Sequence, residues 1–170
     1  YDLQYLKDIG CNFVRVHIKT HPRRWYYHAD KLGLLVWQDL VCSRKFDSNI
    51  TPTSAAQWEQ EQWDMMDTLY NHPSIAMWVV FNEGWCQYDT VRLTNLTKEK
   101  DPTRMVCGAS GWTDYAVGYI YEKHDYSYYP TYGSGDSVSP RASLMGECGG
   151  HNLYIDGHLW PSAEEKDEDH

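Results

Sequence analysis

The segment spanning residues 72–85, HPSIAMWVVFNEGW, constrains the fold of this chain most strongly. Its centre, residues 75–81, is almost entirely apolar, with a proline before it and a glycine after it. A run of this kind is typical of a strand buried on both faces, and such strands belong to parallel sheets covered by helices. Functional groups in these folds lie just beyond the carboxyl ends of the strands, where this sequence has Asn82 and Glu83. The pair therefore occupies a catalytic position, unless Glu83 only caps a following helix.

Composition narrows the class of protein. The 170 residues suit one domain, and the formal net charge of −9 argues against a nucleic-acid partner and favours a neutral or cationic ligand. No apolar run approaches the roughly 20 residues that span a bilayer, so no membrane partner is expected. No signal peptide is recognisable, which leaves the cellular location open. The 8 Trp and 14 Tyr would suit a sugar-stacking cleft, although core packing is the plainer explanation for most of them.

Helical and extended patterns alternate along the chain. Helices are predicted over residues 1–9, 22–30, 54–70 and 89–100. Strands are predicted over residues 13–18, 34–37, 75–81, 104–108, 119–124 and 144–146. The polar segment 43–53, which contains Pro52, is predicted as a loop. This alternation indicates βαβ units and a parallel sheet.

A barrel explains this pattern better than a nucleotide-binding sheet. Neither GxGxxG nor GxxxxGK[ST] occurs, and no helix separates the last strands. A complete (β/α)8 TIM barrel typically needs ~250 residues. We therefore predict an α/β fold, an incomplete (β/α)8 TIM barrel with about strands 2–7 present. It would occupy residues 1–160, followed by an acidic C-terminal tail over residues 161–170.

A second carboxylate, Glu147 in the sequence LMGECGG, also follows a short apolar strand. Two glutamates that end parallel barrel strands converge on the same barrel mouth. Paired carboxylates are the groups that hydrolyse glycosidic bonds: one donates a proton to the leaving oxygen, and the other attacks the sugar or activates water. Glu83 and Glu147 are therefore predicted as a catalytic pair.

Four motifs resemble glycoside hydrolase family 2, which contains β-galactosidases, β-glucuronidases and β-mannosidases. They are NxVRxH at residues 12–17, DxLGLLVWQD at 30–39, HPSIxMWxxxNE at 72–83 and GExGG at 146–150. The resemblance covers nearly the whole chain in the right order. It implies a TIM-barrel catalytic domain and a retaining mechanism, with Glu83 as the general acid/base after strand four and Glu147 as the nucleophile after strand seven.

The resemblance also implies roles for neighbouring polar residues. Arg15 would lie beside the nucleophile and keep it ionised, the alternative being a structural ion pair within the barrel. Asn82 would bind the sugar 2-hydroxyl, the alternative being helix capping. His17 and Asp39, after strands two and three, are candidate subsite residues, although a barrel histidine often serves only the core.

Aromatic and polar residues complete the predicted substrate-binding set. His124 ends strand six, and Tyr126 could donate a hydrogen bond to the nucleophile, with Tyr128 and Tyr129 as close rivals. Trp112 and Trp160 are candidate stacking platforms, although loop or core packing explains each of them slightly better. Trp85 follows the acid directly and could shape the aglycone side.

Three readings of function remain open at this point. The favoured one is a retaining, β-galactosidase-like glycosidase acting on a carbohydrate substrate without a cofactor or metal, although some members of the family bind Mg or Na ions. The second is a non-catalytic carbohydrate-binding barrel, or an inactive fragment of such an enzyme. A metal hydrolase comes last, because HxH and HExxH spacings are absent. The missing barrel strands, and the β-sandwich domains usual in the family, are expected in the parent protein.

Overall fold

A computed structural model describes residues 1–42, 50–131 and 140–150 of the chain. Its helices are α1 (Asp2–Asp8), α2 (Arg23–Leu32), α3 (Pro52–Leu69) and α4 (Thr90–Lys100). Its strands are β1 (Phe13–Val16), β2 (Leu35–Asp39), β3 (Ile75–Asn82), β4 (Met105–Ser110), β5 (Ile120–Asp125) and β6 (Ala142–Cys148). The order of elements is the predicted one. Residues 43–49, Trp160 and the predicted acidic tail lie outside the described residues.

The strands form parallel sheets, as the alternation of elements predicts. One sheet has the order β1-β2-β3-β4 and the other pairs β5 with β6. Between β4 and β5 the connection is an isolated antiparallel bridge, Cys107 to Gly118, together with a hydrogen bond of 2.8 Å from the Tyr119 amide to the Val106 carbonyl. All six strands are therefore arranged as part of an α/β barrel, with a break in the ladder between β4 and β5.

Strand β3 is buried on both faces, which confirms the interpretation of its apolar run. Trp78 and Val80 pack in the layer between the sheet and the helices, with Met66 and Leu69 of α3 in the same cluster. Met77 and Val79 lie on the opposite face in a second apolar cluster; its other buried members are Trp37, Cys107 and Ile120. Each fully buried side chain of this size contributes about 1.5–3 kcal/mol to stability. The strand that ends at Asn82, directly before Glu83, is thus held by apolar packing on both faces.

Helix α3 begins earlier than the sequence pattern predicts. Pro52 was assigned to a loop, but it occupies the first turn of the helix, where its missing N–H is no loss. Thr51 and Ser54 form a capping box: the Thr51 hydroxyl accepts from the Ser54 amide at 3.1 Å, and the Ser54 hydroxyl accepts from the Thr51 amide at 3.0 Å. A proline inside a polar segment was therefore a helix start rather than a breaker.

The residue Asp30 ties the end of α2 to the start of β3. Gly33 ends α2 in the left-handed conformation, with φ of 63°, which only glycine adopts freely. One Asp30 carboxylate oxygen lies 2.8 Å from Nδ1 of His72, and the other accepts a 2.9 Å hydrogen bond from the Ser74 amide. These contacts join the DxLG sequence to the HPS sequence in the folded chain. No helix in the described segments combines the length and apolar character that crossing a membrane requires.

Candidate active site

Glu83 lies at the carboxyl end of β3 in a backbone conformation unusual for its type. Its φ is +53°, in the left-handed region that non-glycine residues rarely occupy. Such a conformation costs about 1–3 kcal/mol and persists only where the surroundings enforce it. Here the Glu83 amide donates a 2.9 Å hydrogen bond to the Ser110 carbonyl at the end of β4. The backbone strain aims the carboxyl group into the mouth of the barrel.

Glu147 lies on β6 and faces the same mouth. One oxygen of each carboxylate and a ring nitrogen of His124 lie within 4.8 Å of one another, although 64 positions separate the glutamates in sequence. The Tyr126 hydroxyl joins the pair, because it donates to Glu147 and lies 3.4 Å from Oε1 of Glu83. The predicted pair therefore meets at one place, at the carboxyl ends of β3 and β6, and we call this place the pocket.

Arg15 donates hydrogen bonds to three of the polar residues at the site, Asp39, Asn82 and Glu147. Its guanidinium donates to both Asp39 oxygens at 3.0 and 2.9 Å, to Oδ1 of Asn82 at 2.8 Å and to Oε1 of Glu147 at 2.7 Å. It also lies over the Trp37 ring, 5.0 Å from the centroid. Arg15 therefore makes both predicted kinds of contact: it contacts Glu147, the predicted nucleophile, and it forms a structural ion pair with Asp39. Arg15 sits inside β1, which ends at Val16, two residues earlier than predicted.

Asp39 differs from its predicted place as a sugar-contacting subsite residue. It is 1% exposed, and its oxygens accept hydrogen bonds from Arg15 and from the Ile18 amide at 3.0 Å. It belongs to β2, which runs two residues beyond the predicted end. With both oxygens engaged beneath the pocket, Asp39 supports Arg15 rather than reaching the open cleft.

Asn82 and His17 flank the carboxylates on two sides. The Asn82 side chain is buried, and its Nδ2 has no hydrogen-bond partner among the described residues. A buried, unpartnered N–H group at a pocket is poised for a ligand oxygen. His17 is more open, with Nε2 3.6 Å from Oε1 of Glu147 and its ring 6.3 Å from that of Trp85. Asn82 is thus linked to Glu147 through Arg15, and His17 lies next to Glu147.

Three aromatic side chains line the side of the pocket formed by β5. Nδ1 of His124 lies 2.9 Å from Oε1 of Glu83. The Trp112 ring packs edge-on against His124 and Tyr126, with centroid distances of 5.4 and 6.4 Å, and is 46% exposed. Tyr126 is the tyrosine at Glu147, whereas its rivals Tyr128 and Tyr129 are largely exposed. Trp112 is thus an open ring beside the carboxylates.

Two residues at the site carry no motif and were not predicted. Glu122 is buried beneath His124, with Oε1 3.1 Å from the ring Nε2, and Ser110 places its hydroxyl 2.9 Å from the same nitrogen. A weak signal was available, because Ile120, Glu122 and His124 alternate along β5 and so share one face of the strand. Alternation alone, however, does not show that this face points at the site.

Burial and neighbouring groups change the pKa values of Glu147, His124 and Tyr126. Burial alone would raise the pKa of Glu147, but the hydrogen bond from Tyr126 and the charges of His124 and Arg15 outweigh it and hold that pKa below its ordinary value. Burial alone would lower the pKa of His124, but Glu122 and Glu83 raise it above its ordinary value. Burial and the nearby Glu147 raise the pKa of Tyr126, so its hydroxyl keeps its proton and remains a donor. The site thus holds an ionised Glu147 among cationic and neutral donors.

The same three side chains, Glu83, His124 and Glu147, have the spacing that could hold a divalent cation. Arg15 already supplies positive charge 2.7 Å from Glu147, and His124 has its second nitrogen beside Glu122. A metal ion would have to compete with both groups. The contacts of Arg15 and Glu122 with this cluster therefore disfavour a cation here.

Gly146 provides an early test of how closely the site is packed. A Cβ atom added there would lie 1.1 Å from Oε1 of the buried Glu122. Gly146→Ala is expected to destabilise the protein by about 3 kcal/mol, because the carboxylate has to leave its place. Urea unfolding followed by tryptophan fluorescence measures the loss.

Gly149→Ala is the matched control for this substitution. A Cβ at Gly149 meets no atom within 4 Å, but the residue has φ of +83°. Its substitution is therefore expected to cost only the backbone penalty of about 1–2 kcal/mol. A loss well under about 1 kcal/mol at position 146 would show that contact with Glu122 does not limit this position.

Known proteins share both the sequence pattern and the fold. Residues 1–145 match the family described as glycosyl hydrolases family 2, TIM barrel domain. A β-mannosidase B from Aspergillus fumigatus is 30% identical over 155 residues, which is 84% of this chain. A β-galactosidase from Clostridium acetobutylicum is 26% identical over 121 residues, or 62% of it. This chain spans 17% and 13% of the lengths of those two relatives.

Solved structures share the architecture. A GH2 β-galacturonidase from Eisenbergiella tayi bound to galacturonate superposes with a TM-score of 0.72 at 22% identity, covering 95% of this chain and 33% of that one. A Parabacteroides merdae β-glucuronidase with glycerol in its active site gives 0.65 at 20% identity, covering 77% and 18%. At these identities the likeness concerns the fold, whereas the family match covers most of the sequence. The chain belongs to glycosyl hydrolase family 2, and residues 1–145 correspond to its TIM barrel domain.

Proposed function

We propose that the protein containing this chain is a retaining β-glycosidase that works by double displacement, with Glu147 as nucleophile and Glu83 as general acid/base. One observation carries the proposal: two glutamates within 4.8 Å in one pocket have different neighbours. Arg15 and Tyr126 donate to Glu147, which favours its ionised form. Because one oxygen of each glutamate lies within 4.8 Å of the other, the pair fits the carboxyl separation of about 5–5.5 Å in retaining glycosidases better than the about 6.5–9.5 Å of inverting ones.

The first step of this mechanism forms a covalent intermediate. A Glu147 oxygen attacks the anomeric carbon while the carboxylic acid of Glu83 gives its proton to the glycosidic oxygen. The bond between the anomeric carbon and that oxygen breaks, and the aglycone leaves as an alcohol. The product is a glycosyl ester on Glu147 and an ionised Glu83.

The second step reverses the roles. The Glu83 carboxylate takes a proton from water, whose oxygen attacks the anomeric carbon and releases Glu147 as a carboxylate. Two inversions give net retention. Asn82 would bind the sugar 2-hydroxyl with its unpartnered Nδ2, a hydrogen bond that strengthens as the oxocarbenium ion forms. The exposed ring of Trp112 would stack on a sugar face.

Within this class, a neutral, galactoside-like sugar is the proposed substrate. A uronic acid carries a carboxylate that requires a cation. Among the described residues at the pocket, Arg15 and His124 already pair with protein carboxylates. The relatives include a β-galactosidase, β-mannosidases and putative β-glucuronidases, so the choice among them rests on the pocket. This chain spans 17% of the length of the β-mannosidase B and 13% of that of the β-galactosidase, so the remaining barrel strands and β-sandwich domains would come from a longer protein.

A panel of nitrophenyl β-glycosides assayed with the full-length protein tests the proposal. We expect hydrolysis, fastest for the β-galactoside and slower for the β-mannoside and β-glucuronide, and an initial sugar product of retained anomeric configuration by ¹H NMR. Sugar binding without turnover would overturn the proposal in favour of a non-catalytic carbohydrate-binding barrel. Initial release of the inverted anomer would overturn the double displacement.

Tyr126→Phe tests whether the Tyr126 hydroxyl favours the ionised form of Glu147. The variant loses a donor to Glu147, so kcat is expected to fall by about 10²-fold. The pKa of Glu147 should also rise, because the Tyr126 hydrogen bond helps to lower it. A nucleophile with a higher pKa is protonated at higher pH, so the acidic limb of the kcat/KM profile should move to higher pH. The exposed Tyr129, changed to Phe, is the control and should leave both quantities unchanged.

A further inference from the structure

Glu122 is a buried carboxylate that the proposed mechanism does not use. It is 1% exposed and lies on β5, two residues before His124, so both side chains point from the same face of the strand. Its Oε2 accepts a hydrogen bond from the Gly111 amide, whereas Oε1 has no hydrogen-bond partner among the described residues and lies at ion-pair distance, 3.1 Å, from Nε2 of His124. Gly146 leaves the space that this carboxylate occupies. Burying a carboxylate is costly unless it is paired, so its placement against one imidazole calls for a function.

The His124 ring stands between this carboxylate and the site. Nδ1 lies 2.9 Å from Oε1 of Glu83, while Nε2 faces Glu122, Oε1 of Glu147 at 3.4 Å and the Ser110 hydroxyl at 2.9 Å. A neutral imidazole carries one N–H and can donate on only one side, whereas the imidazolium donates on both. Carboxylates on both edges of the ring therefore favour a doubly protonated ring in a fixed orientation.

We propose that Glu122 is a positioning residue for the glycosidase reaction: it anchors the His124 ring so that Nδ1 holds the Glu83 carboxyl in place for proton transfer. The inference deepens the proposed function and rests on it. With Glu122 at Nε2, the ring cannot turn without losing a buried contact, and the N–H at Nδ1 stays directed at Glu83. The raised pKa of His124, for which Glu122 is the foremost favourable cause, agrees with this arrangement.

Several charged or titratable groups surround the pair formed by Glu122 and His124. The groups that face His124 or Glu122 from the surrounding strands are Glu83 after β3, Cys107 on β4, Tyr126 after β5, Glu147 on β6 and Arg15 on β1. The negative charge of Glu122 raises the pKa of the Cys107 thiol further and adds to the field at Arg15. Removing Glu122 therefore removes the negative charge that stabilises protonated His124. The pKa values of Cys107 and Arg15 should change less.

The substitution Glu122→Gln, in the full-length protein, separates positioning from structure. Without the charge, the imidazolium is less favoured, so Glu83 loses its donor as pH rises. For a substrate with a poor leaving group, such as an alkyl β-galactoside, kcat is expected to fall by about 10²-fold, because such substrates need acid assistance. For dinitrophenyl β-galactoside, which needs little, the fall should be under about fivefold. The alkaline limb of the kcat profile for the poor substrate should move to lower pH, with KM changed little.

Controls make each outcome decisive. Asp101→Asn changes another fully buried carboxylate, paired with Arg104 away from the pocket, and should affect stability without the leaving-group dependence. Glu122→Asp keeps the negative charge but moves it one methylene away from His124, so it should recover part of the lost kcat. The Asp variant also provides a test if the Gln variant does not fold. Equal losses of kcat for both substrates, or an unchanged alkaline limb of the kcat profile, would overturn the role of Glu122. In that case, hydrolysis by the wild type would still support the proposed function. A wild type that hydrolyses neither substrate overturns both.

Discussion

Replacing Glu147 by glutamine in the full-length protein is expected to lower kcat/KM for an aryl β-glycoside by about 10⁴-fold or more. The amide keeps the size of the side chain, but it cannot attack the anomeric carbon. It also replaces the negative charge 2.7 Å from Arg15 with a neutral group. Steady-state kinetics with a nitrophenyl glycoside measures the loss, and equilibrium binding of the free sugar shows whether the pocket is intact.

Chemical rescue distinguishes a lost nucleophile from a damaged fold. In Glu147→Gly, azide can occupy the space of the carboxylate and attack the anomeric carbon from the same side, forming an inverted glycosyl azide as the aglycone leaves. Rescue with that product would identify position 147 as the nucleophile. Glu61→Gln, on the exposed surface of α3, should retain activity within about twofold. Activity of Glu147→Gln within tenfold of the wild type would overturn its assignment.

Strand β3 shows what a sequence of this kind can reveal. Its apolar run is too continuous for an amphipathic element, and burial on both faces follows from that composition. The polar residues that end it, Asn82 and Glu83, therefore had to emerge at the carboxyl edge of the sheet. The fold class and the meeting of two distant glutamates follow from this logic, because parallel strands bring their carboxyl ends to one edge.

Element ends were less predictable, because they depend on partners distant in sequence. Gln38 is polar, so β2 was expected to stop before it, yet its amide is buried. It accepts from Tyr26 at 2.5 Å and donates to the Lys19 carbonyl at 2.7 Å. Strand β6 was expected over three residues but runs over seven, because pairing with β5 extends it through its polar and glycine positions. The break between β4 and β5 likewise leaves no local signal.

The motifs predicted only part of the hydrogen-bond network around Arg15. Arg15 and Glu147 each belong to a motif, but the four acceptor atoms around the guanidinium come from three different strands or strand ends. Glu122 belongs to no motif at all. A buried carboxylate becomes recognisable only when its partner is known, and the partner is set by strand register rather than by spacing along the chain.

Arg15→Met is expected to destabilise the protein by about 3–5 kcal/mol, because it leaves the buried Asp39 carboxylate without its counter-ion. Burial already raises the pKa of Asp39 beside Arg15, and removing the guanidinium raises it further. A carboxyl group with a raised folded pKa contributes most stability below its unfolded pKa and loses it as pH rises through the folded value. The difference in unfolding free energy between wild type and variant should therefore be largest at neutral pH and shrink toward acid pH, as urea unfolding at several pH values would show.

A second substitution separates the two tasks of Arg15. In Arg15→Met/Asp39→Asn, the buried position no longer carries a charge, so much of the lost stability should return, while Glu147 still lacks its cation. Activity should therefore stay low in the double variant, and the acidic limb of its kcat/KM profile should lie at higher pH, because Arg15 helps to lower the pKa of Glu147. Arg24→Met, on the exposed side of α2, is the control and should change stability by less than about 0.5 kcal/mol. Full recovery of activity along with stability would show that Arg15 serves the fold alone.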